Sequence, residues 1–350
     1  MKLSNKLFIH APNVHQGGGA SLLNALVQAV TRDVVLSVDE RMHLPNPQKI
    51  NVQVKRIVPS ILRRLLAEKW LMKAVEKDDV VLCFGNLPPL FRLRGRTIVF
   101  LQNRYLLEHV PLNDFSLKDR IRLSVERLWL THRLSNADEF VVQTPTMKNY
   151  LEVKTRGTVP VQVKPFVMES NGYSRNFIQQ DRHNSNAYDF VYVASGEPHK
   201  NHHNLLEAWC LLSKEGLFPS LCLTLDEVQF PEICIRVEAM KSLHGVKIIN
   251  VGRSPYEVIW TLYKKSGAVI YPSKFESFGM PLVEARQAGL PVLASELDYV
   301  RDVLDPEQVF DPNSPISIAR AVKRFMGLEE MSLPLLDATR FISSMLYKDI

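Results

Sequence analysis

Apolar residues along the first 165 positions follow two rhythms. Short runs rich in Val, Ile and Phe (LFIHAP, DVVLSV, DDVVLCFG, RTIVFLQN, ADEFVVQT) alternate with longer stretches. In those (GGGASLLNALVQAV, ILRRLLAEKWLMKAVEK, SLKDRIRLSVERLWLTHRL, TPTMKNYLEV) apolar positions recur every three or four residues. The first rhythm predicts buried strands and the second predicts amphipathic helices. Their alternation predicts parallel β-α units, so residues 1–165 read as a doubly wound, Rossmann-like α/β domain. Residues 166–189 (FVMESNGYSRNFIQQDRHNSNAYD) are polar, rich in Asn and Ser and without period, which predicts a linker. The alternation then resumes through FVYVAS, NHHNLLEAWCLLSKEG, LCLTL, VKIINVG, SPYEVIWTLYKKSG, AVIYPS, PLVEARQAG and PVLAS, and ISIARAVKRFMG adds a further helix. Residues 190–335 therefore predict a second Rossmann-like domain facing the first across a cleft. Residues 336–350 predict a closing helix that packs back on the first domain.

Composition narrows the setting. With 46% hydrophobic and 23% charged residues the 350-residue chain is ordinary for a globular protein. Its four cysteines form no C-x-x-C pair, which predicts reduced, mostly buried thiols. No apolar run approaches the roughly 20 residues that span a bilayer. The start, MKLSNKLFIHAPN, reads as a first strand and not as a signal peptide. A cytoplasmic protein is the expectation.

Charge changes the picture. Residues 1–165 carry 25 Lys and Arg against 14 Asp and Glu, a net of +11. The remainder carries 18 against 23, a net of −5, and the two sum to the chain's +6. A basic first half predicts an anionic partner. With no nucleic-acid-binding module and no basic patch interleaved with aromatics, nucleic acid is set aside. The stretches around Trp70 and Trp129 mix Arg and Lys with Leu and Ile at helical spacing. Such helices can lie in the headgroup layer of an anionic membrane with Trp70 or Trp129 as anchor, at the inner face of the plasma membrane. The same pattern also fits helices whose apolar faces pack on the sheet.

Candidate chemistry concentrates in KFESFGMPLVEARQAG, residues 274–289. A strand, AVIYPS, precedes it. Ser277 and Gly279 turn the chain, Pro281 suits the first helical position, and Gly289 suits the end. The helix start then points out of the carboxyl edge of a parallel sheet, where such folds bind ligands. Free amides at Phe278, Gly279 and Met280, with the helix dipole, predict a phosphate seat. Glu284 is expected in the first turn, where the dipole favours an acid. Glu276 is expected on the loop, facing the cleft.

The run YPSKFESFGMPLVEARQAGLPVLAS closely resembles the signature of family 4 retaining glycosyltransferases, the glycosyl transferases group 1, in which two glutamates bracket seven residues. The resemblance covers most of 190–325 and is looser before that. It implies the GT-B fold, with the acceptor side first and the nucleotide-sugar side second. It further implies that Glu276 contacts the donor sugar near its reacting carbon and that Glu284 contacts the ribose hydroxyls. By the same resemblance, Ser277, Phe278, Gly279 and Met280 lie near sugar and phosphate.

Three other segments join it. In YVASGEPHKNHHNLLEAW, Lys200 at a strand-to-helix turn can neutralise a diphosphate leaving group, or be a solvated lysine at a helix start. The family usually carries an Arg five residues ahead of that lysine; here the place is Ser195, and Arg253 is the candidate replacement. In IHAPNVHQGGGASLLNAL, Gly17, Gly18 and Gly19 allow backbone to approach a ligand, and His15 is either a ligand contact or structural. Where many relatives place a histidine after a first-domain strand, TIVFLQNRYLLE offers Gln102, Asn103 and Arg104; a glutamine hydrogen-bonds a sugar hydroxyl but is no base.

No D-x-D occurs, so no metal and no cofactor is expected. The resemblance implies a nucleotide diphosphate sugar as donor. It also implies a saccharide or lipid-linked saccharide acceptor, as in bacterial surface-polysaccharide synthesis. A nucleotide-sugar epimerase and a non-catalytic GT-B scaffold that binds a partner protein are the alternatives.

Overall fold

The computed structural model describes residues 6–31, 33–45, 52–108, 110, 112, 115–166 and 187–328. The first domain is built on a seven-stranded, wholly parallel sheet in the order β3-β2-β1-β4-β5-β6-β7. Its strands are β1 (Leu7–Ala11), β2 (Val34–Asp39), β3 (Val52–Ile57), β4 (Val80–Cys83), β5 (Arg96–Phe100), β6 (Glu139–Val142) and β7 (Val161–Val163). Helices α1 (Gly17–Ala29), α2 (Ile61–Ala74), α3 (Leu117–Arg133) and α4 (Pro145–Thr155) connect them. The core lies in two layers, one on each sheet face. One holds Leu22, Leu23 and Val27 of α1; the other holds Leu71 of α2, Leu123 and Leu130 of α3 and Leu151 of α4.

The second sheet repeats the plan with six parallel strands in the order β10-β9-β8-β11-β12-β13. They are β8 (Tyr188–Tyr192), β9 (Leu221–Leu223), β10 (Ile248–Asn250), β11 (Ser266–Tyr271), β12 (Val292–Ser295) and β13 (Gln308–Phe310). The accompanying helices are α5 (His202–Lys214), α6 (Pro231–His244), α7 (Tyr256–Lys264), α8 (Met280–Gln287), α9 (Asp298–Arg301) and α10 (Pro315–Phe325). In each sheet the strand order reverses beside the first strand, between β1 and β4 and between β8 and β11. Loops there splay apart and leave a crevice.

One core residue anchors the second domain. Trp209 of α5 is fully buried, meets Phe190 edge-on at 5.7 Å and donates its indole N–H to Pro219 O at 2.9 Å. Trp209→Ala is expected to cost about 3–5 kcal/mol, read as a lowered midpoint in chemical denaturation. A loss near zero would mean that the domain closes over the gap without it.

The pattern misses five elements. β3 is an edge strand with exposed or half-exposed side chains up to Ile57 (VQVKRI), β7 and β13 span three residues each, α9 spans four, and α6 buries only Val237 and Met240. At the expected linker, β8 begins at Tyr188, and Phe166 packs on Phe84 and Phe100 of the first domain. The linker's residues 167–186 and the closing helix expected at 336–350 lie outside the described residues.

The tryptophan anchors are a correction. Trp70 packs against Phe8, with Lys55 Nζ 3.9 Å from its ring centroid, and Trp129 donates its N–H to Pro88 O. Both turn inward because their rings fill the layer between α2, α3 and the sheet.

Candidate functional site

A cleft of about 710 Å³ opens between the two domains, lined by the loops at the carboxyl ends of both sheets. From the second domain come Ser195, Lys200, Arg253, Glu276, Ser277, Phe278, Gly279, Met280 and Glu284; from the first come Gly17, Gly18, Gly19, Gln102 and Asn103. All but one of the donor- and acceptor-contact candidates read from the sequence therefore meet in one place. The exception is His15, whose Nδ1 lies 3.4 Å from Arg41 Nη2 and 4.0 Å from Asp39 Oδ2; this contact draws it aside from the cleft.

The phosphate seat begins at Gly279, whose φ of +76° only glycine adopts without strain. A Cβ there would also lie 3.0 Å from Leu282 Cδ1. That turn starts α8 at Met280, so Pro281 is its second residue and not its first. Among the described residues, the amides of Phe278, Gly279 and Met280 have no hydrogen-bond partner in the protein. They remain available to an anion at the positive end of the helix. Because the helix starts at Met280, Glu284 falls at its fifth residue, past the first turn where it was expected, and the dipole contributes little there. Burial raises its carboxyl above the usual range, partly offset by a 2.9 Å hydrogen bond from Tyr263 Oη.

Lys200 and Glu276 form an ion pair at 2.5 Å, each side chain about 15% exposed (16% and 14%). Their meeting follows from topology. β8 and β11 are neighbours, and the loops after them are stitched together: His199 O accepts from Lys274 N at 2.8 Å and from Ser273 Oγ at 3.2 Å. Tyr192 Oη donates to Lys200 O, and Asn201, in the left-handed region, donates to Pro272 O and Pro312 O. Glu276 Oε1 gathers Lys200 Nζ, Tyr271 Oη at 3.0 Å and Ser273 Oγ at 2.7 Å. Burial pushes this carboxyl up, but the charges of Lys200 and His199 and the hydrogen bonds from Lys200 and Ser273 outweigh it and hold Glu276 below the usual carboxylate range. It is ionised at neutral pH. Beside the pair, burial lowers His202 to about 3, so its ring adds no charge.

Ser195 spends its hydroxyl on Glu197 Oε2, whereas Arg253 is exposed at the cleft wall. Across the gap, a Cβ on Gly18 would lie 3.7 Å from Met280 Cγ, and one on Gly19 would lie 3.8 Å from Gln102 Oε1. The glycine loop thus faces the phosphate seat directly. Asn86 holds the loop after β5 by accepting from the amides of both Gln102 and Asn103.

Sequence reasoning gave Arg104 no task, although it joins the domains. Its guanidinium grips Asp298 through two bonds of 3.0 and 2.9 Å, bonds Glu108 at 2.6 Å and reaches Glu276 O at 3.2 Å. It also lies 4.7 Å from the centroid of Phe275, on which Tyr105 packs at 4.3 Å. Thr146 N at the start of α4 donates to Asp302 on the same seam. A buried arginine in a polar loop carries no local signal of that role, because its partners across the seam, Glu276 and Asp298, are more than 170 residues away.

Comparison with known proteins agrees with this geometry. The glycosyl transferases group 1 family matches residues 174–335. The serotype-specific mannosyltransferase WbdA of Escherichia coli is 28% identical over 147 residues, 42% of this chain and 18% of that protein. The O-antigen chain mannosyltransferase B of Escherichia coli is 30% identical over 132 residues, 37% of this chain and 34% of that one. The chain therefore spans only a minor part of these relatives. Anabaena HepE, solved with UDP and glucose, superposes with a TM-score of 0.65 at 16% identity, covering 92% of this chain and 89% of its own. That likeness is one of fold, the two-domain GT-B arrangement. Residues 174–335 thus match the glycosyl transferases group 1 family, in a chain whose described residues have GT-B architecture.

Proposed function

We propose that this protein is a retaining hexosyltransferase that moves a sugar from a nucleotide diphosphate donor to a saccharide acceptor, without a metal ion. The observation that supports it best is the convergence of bare α8 amides, Lys200 and Glu276 on one interdomain cleft. A donor diphosphate seated on the amides would draw Lys200 toward it, and these groups together would stabilise the charge that builds on the departing diphosphate. Glu276, released from Lys200, would hold the sugar, and Glu284 with Tyr263 would meet the ribose. Ser277 and Arg253 border the same seat. The acceptor would enter past Gly17–Gly19 and Gln102, and water excluded by the closed domains could not compete. The relatives' names favour a bacterial surface polysaccharide; the acceptor in this reading is a lipid-linked oligosaccharide at the cytoplasmic side.

The test is release of nucleotide diphosphate from a panel of nucleotide sugars, with and without chelator, and the anomeric configuration of the product by NMR. Inversion, or activity abolished by chelator, would overturn the corresponding part of the reading. An isomerised donor would mean an epimerase, and tight nucleotide binding without turnover would mean a scaffold. Lys200→Met is expected to weaken nucleoside diphosphate binding about 10- to 100-fold by calorimetry, the worth of one charged hydrogen bond. Unchanged affinity would remove Lys200 from the phosphate seat.

A further inference from the structure

Helices α2 and α3 carry aliphatic side chains that no part of the described protein covers. On α2, Ile61, Leu62, Leu65 and Leu66 are 84%, 68%, 40% and 48% exposed. On α3, Leu117, Ile121, Val125 and Leu128 recur at helical spacing, each more than half exposed, a stripe about 17 Å long at 1.5 Å per residue. Their opposite faces do the packing, through Ala67 and Leu71 on α2 and Leu123 and Leu130 on α3. The helices are neighbours, since the Arg64 guanidinium lies 5.2 Å from the centroid of the Trp129 ring. Such a run of bare aliphatics is more than the scattered apolar residues of an ordinary surface.

The charges beside it have one sign. Arg63, Lys69 and Lys73 on α2 and Lys118, Arg120 and Arg133 on α3 are exposed. The acids of both helices are withdrawn or paired. Glu68 is buried on His10 and the Leu90 amide, Glu126 is only partly exposed, and Asp119 binds Arg122 and Ser116.

We propose that this face docks on the surface of an anionic lipid bilayer, with the aliphatic residues entering the acyl boundary and the cations meeting lipid phosphates. A headgroup layer accommodates both kinds of group at once, whereas the buried centre of a protein–protein interface is depleted of charge. The inserting groups are Leu, Ile and Val because Trp70 and Trp129 face the core. This inference goes beyond the transfer reaction and is tested without it.

Co-sedimentation of the full chain with vesicles of phosphatidylcholine alone, and of phosphatidylcholine mixed with phosphatidylglycerol, reads it directly. Binding is expected only to the anionic vesicles, weakening as salt rises. Leu62→Glu/Ile121→Glu and Lys118→Glu/Arg120→Glu change exposed positions outside the cleft. Each pair is expected to lower vesicle binding roughly tenfold or more while leaving nucleotide binding unchanged. Wild-type chain that stays in the supernatant with anionic vesicles at low salt would overturn the proposal, as would variants that pellet as well as wild type. So would a concentration-dependent dimer, abolished by Ile121→Glu, in a protein that ignores vesicles; the face would then serve a second copy of the chain.

Discussion

Glu276→Gln is expected to lower kcat/KM by about 10²- to 10³-fold, the range seen when one preorganised group is lost from a transition-state site. The same variant should bind free nucleoside diphosphate as well as wild type, or more tightly. Both expectations follow from one contact. Glu276 Oε1 holds Lys200 Nζ at 2.5 Å, so the acid competes with any diphosphate for that cation. The amide keeps the shape, and it can still accept from Tyr271 and Ser273, but it has no charge with which to hold the lysine. Calorimetry with nucleoside diphosphate, beside steady-state rates with the active donor, separates the two effects. If binding and turnover fall together, Glu276 supports the architecture of the phosphate seat and does not hold the sugar.

Arg104→Met should act at the seam. The guanidinium is 8% exposed, whereas its partners Asp298 and Glu108 are 40% and 27% exposed and keep some water. Breaking a fully buried pair costs about 3–5 kcal/mol; the partial hydration of these acids brings the expected loss to about 2 kcal/mol, measured by denaturant unfolding. The larger effect is on catalysis, because Arg104 bonds the main-chain oxygen of Glu276 from the opposite domain. A fall of about 10- to 100-fold in kcat/KM is expected, carried mostly by kcat, as a slightly misplaced group produces. Arg104→Lys should recover little, since one ammonium cannot make the forked contact with Asp298. Full activity in both variants would show that the domains find their closed register without this residue.

The α/β plan was legible because strand-like and helix-like periods alternate cleanly, and the helix start at Gly279 was legible because glycine, proline and small polar residues announce it locally. What stayed hidden depended on distance or brevity. β7 and β13 are too short to show a period, and β3 reads as polar because an edge strand faces water. His15 looked like a cleft residue from its place beside three glycines, but Asp39 and Arg41, brought near by the fold, claim it. Glu284 missed the first turn because the left-handed Gly279 starts the helix at Met280. Arg104 lacked any signal, since a clamp between domains exists only after both have folded.

The near contact of Gly18 with Met280 carries a last consequence. On the proposed function, lobes this close would restrict the sideways exit of a spent nucleotide lying between them. Escape then calls for the lobes to part, a hinge motion of microseconds to milliseconds that drags solvent along. Turnover in such a device should slow in viscous solution even when bond-making itself is fast.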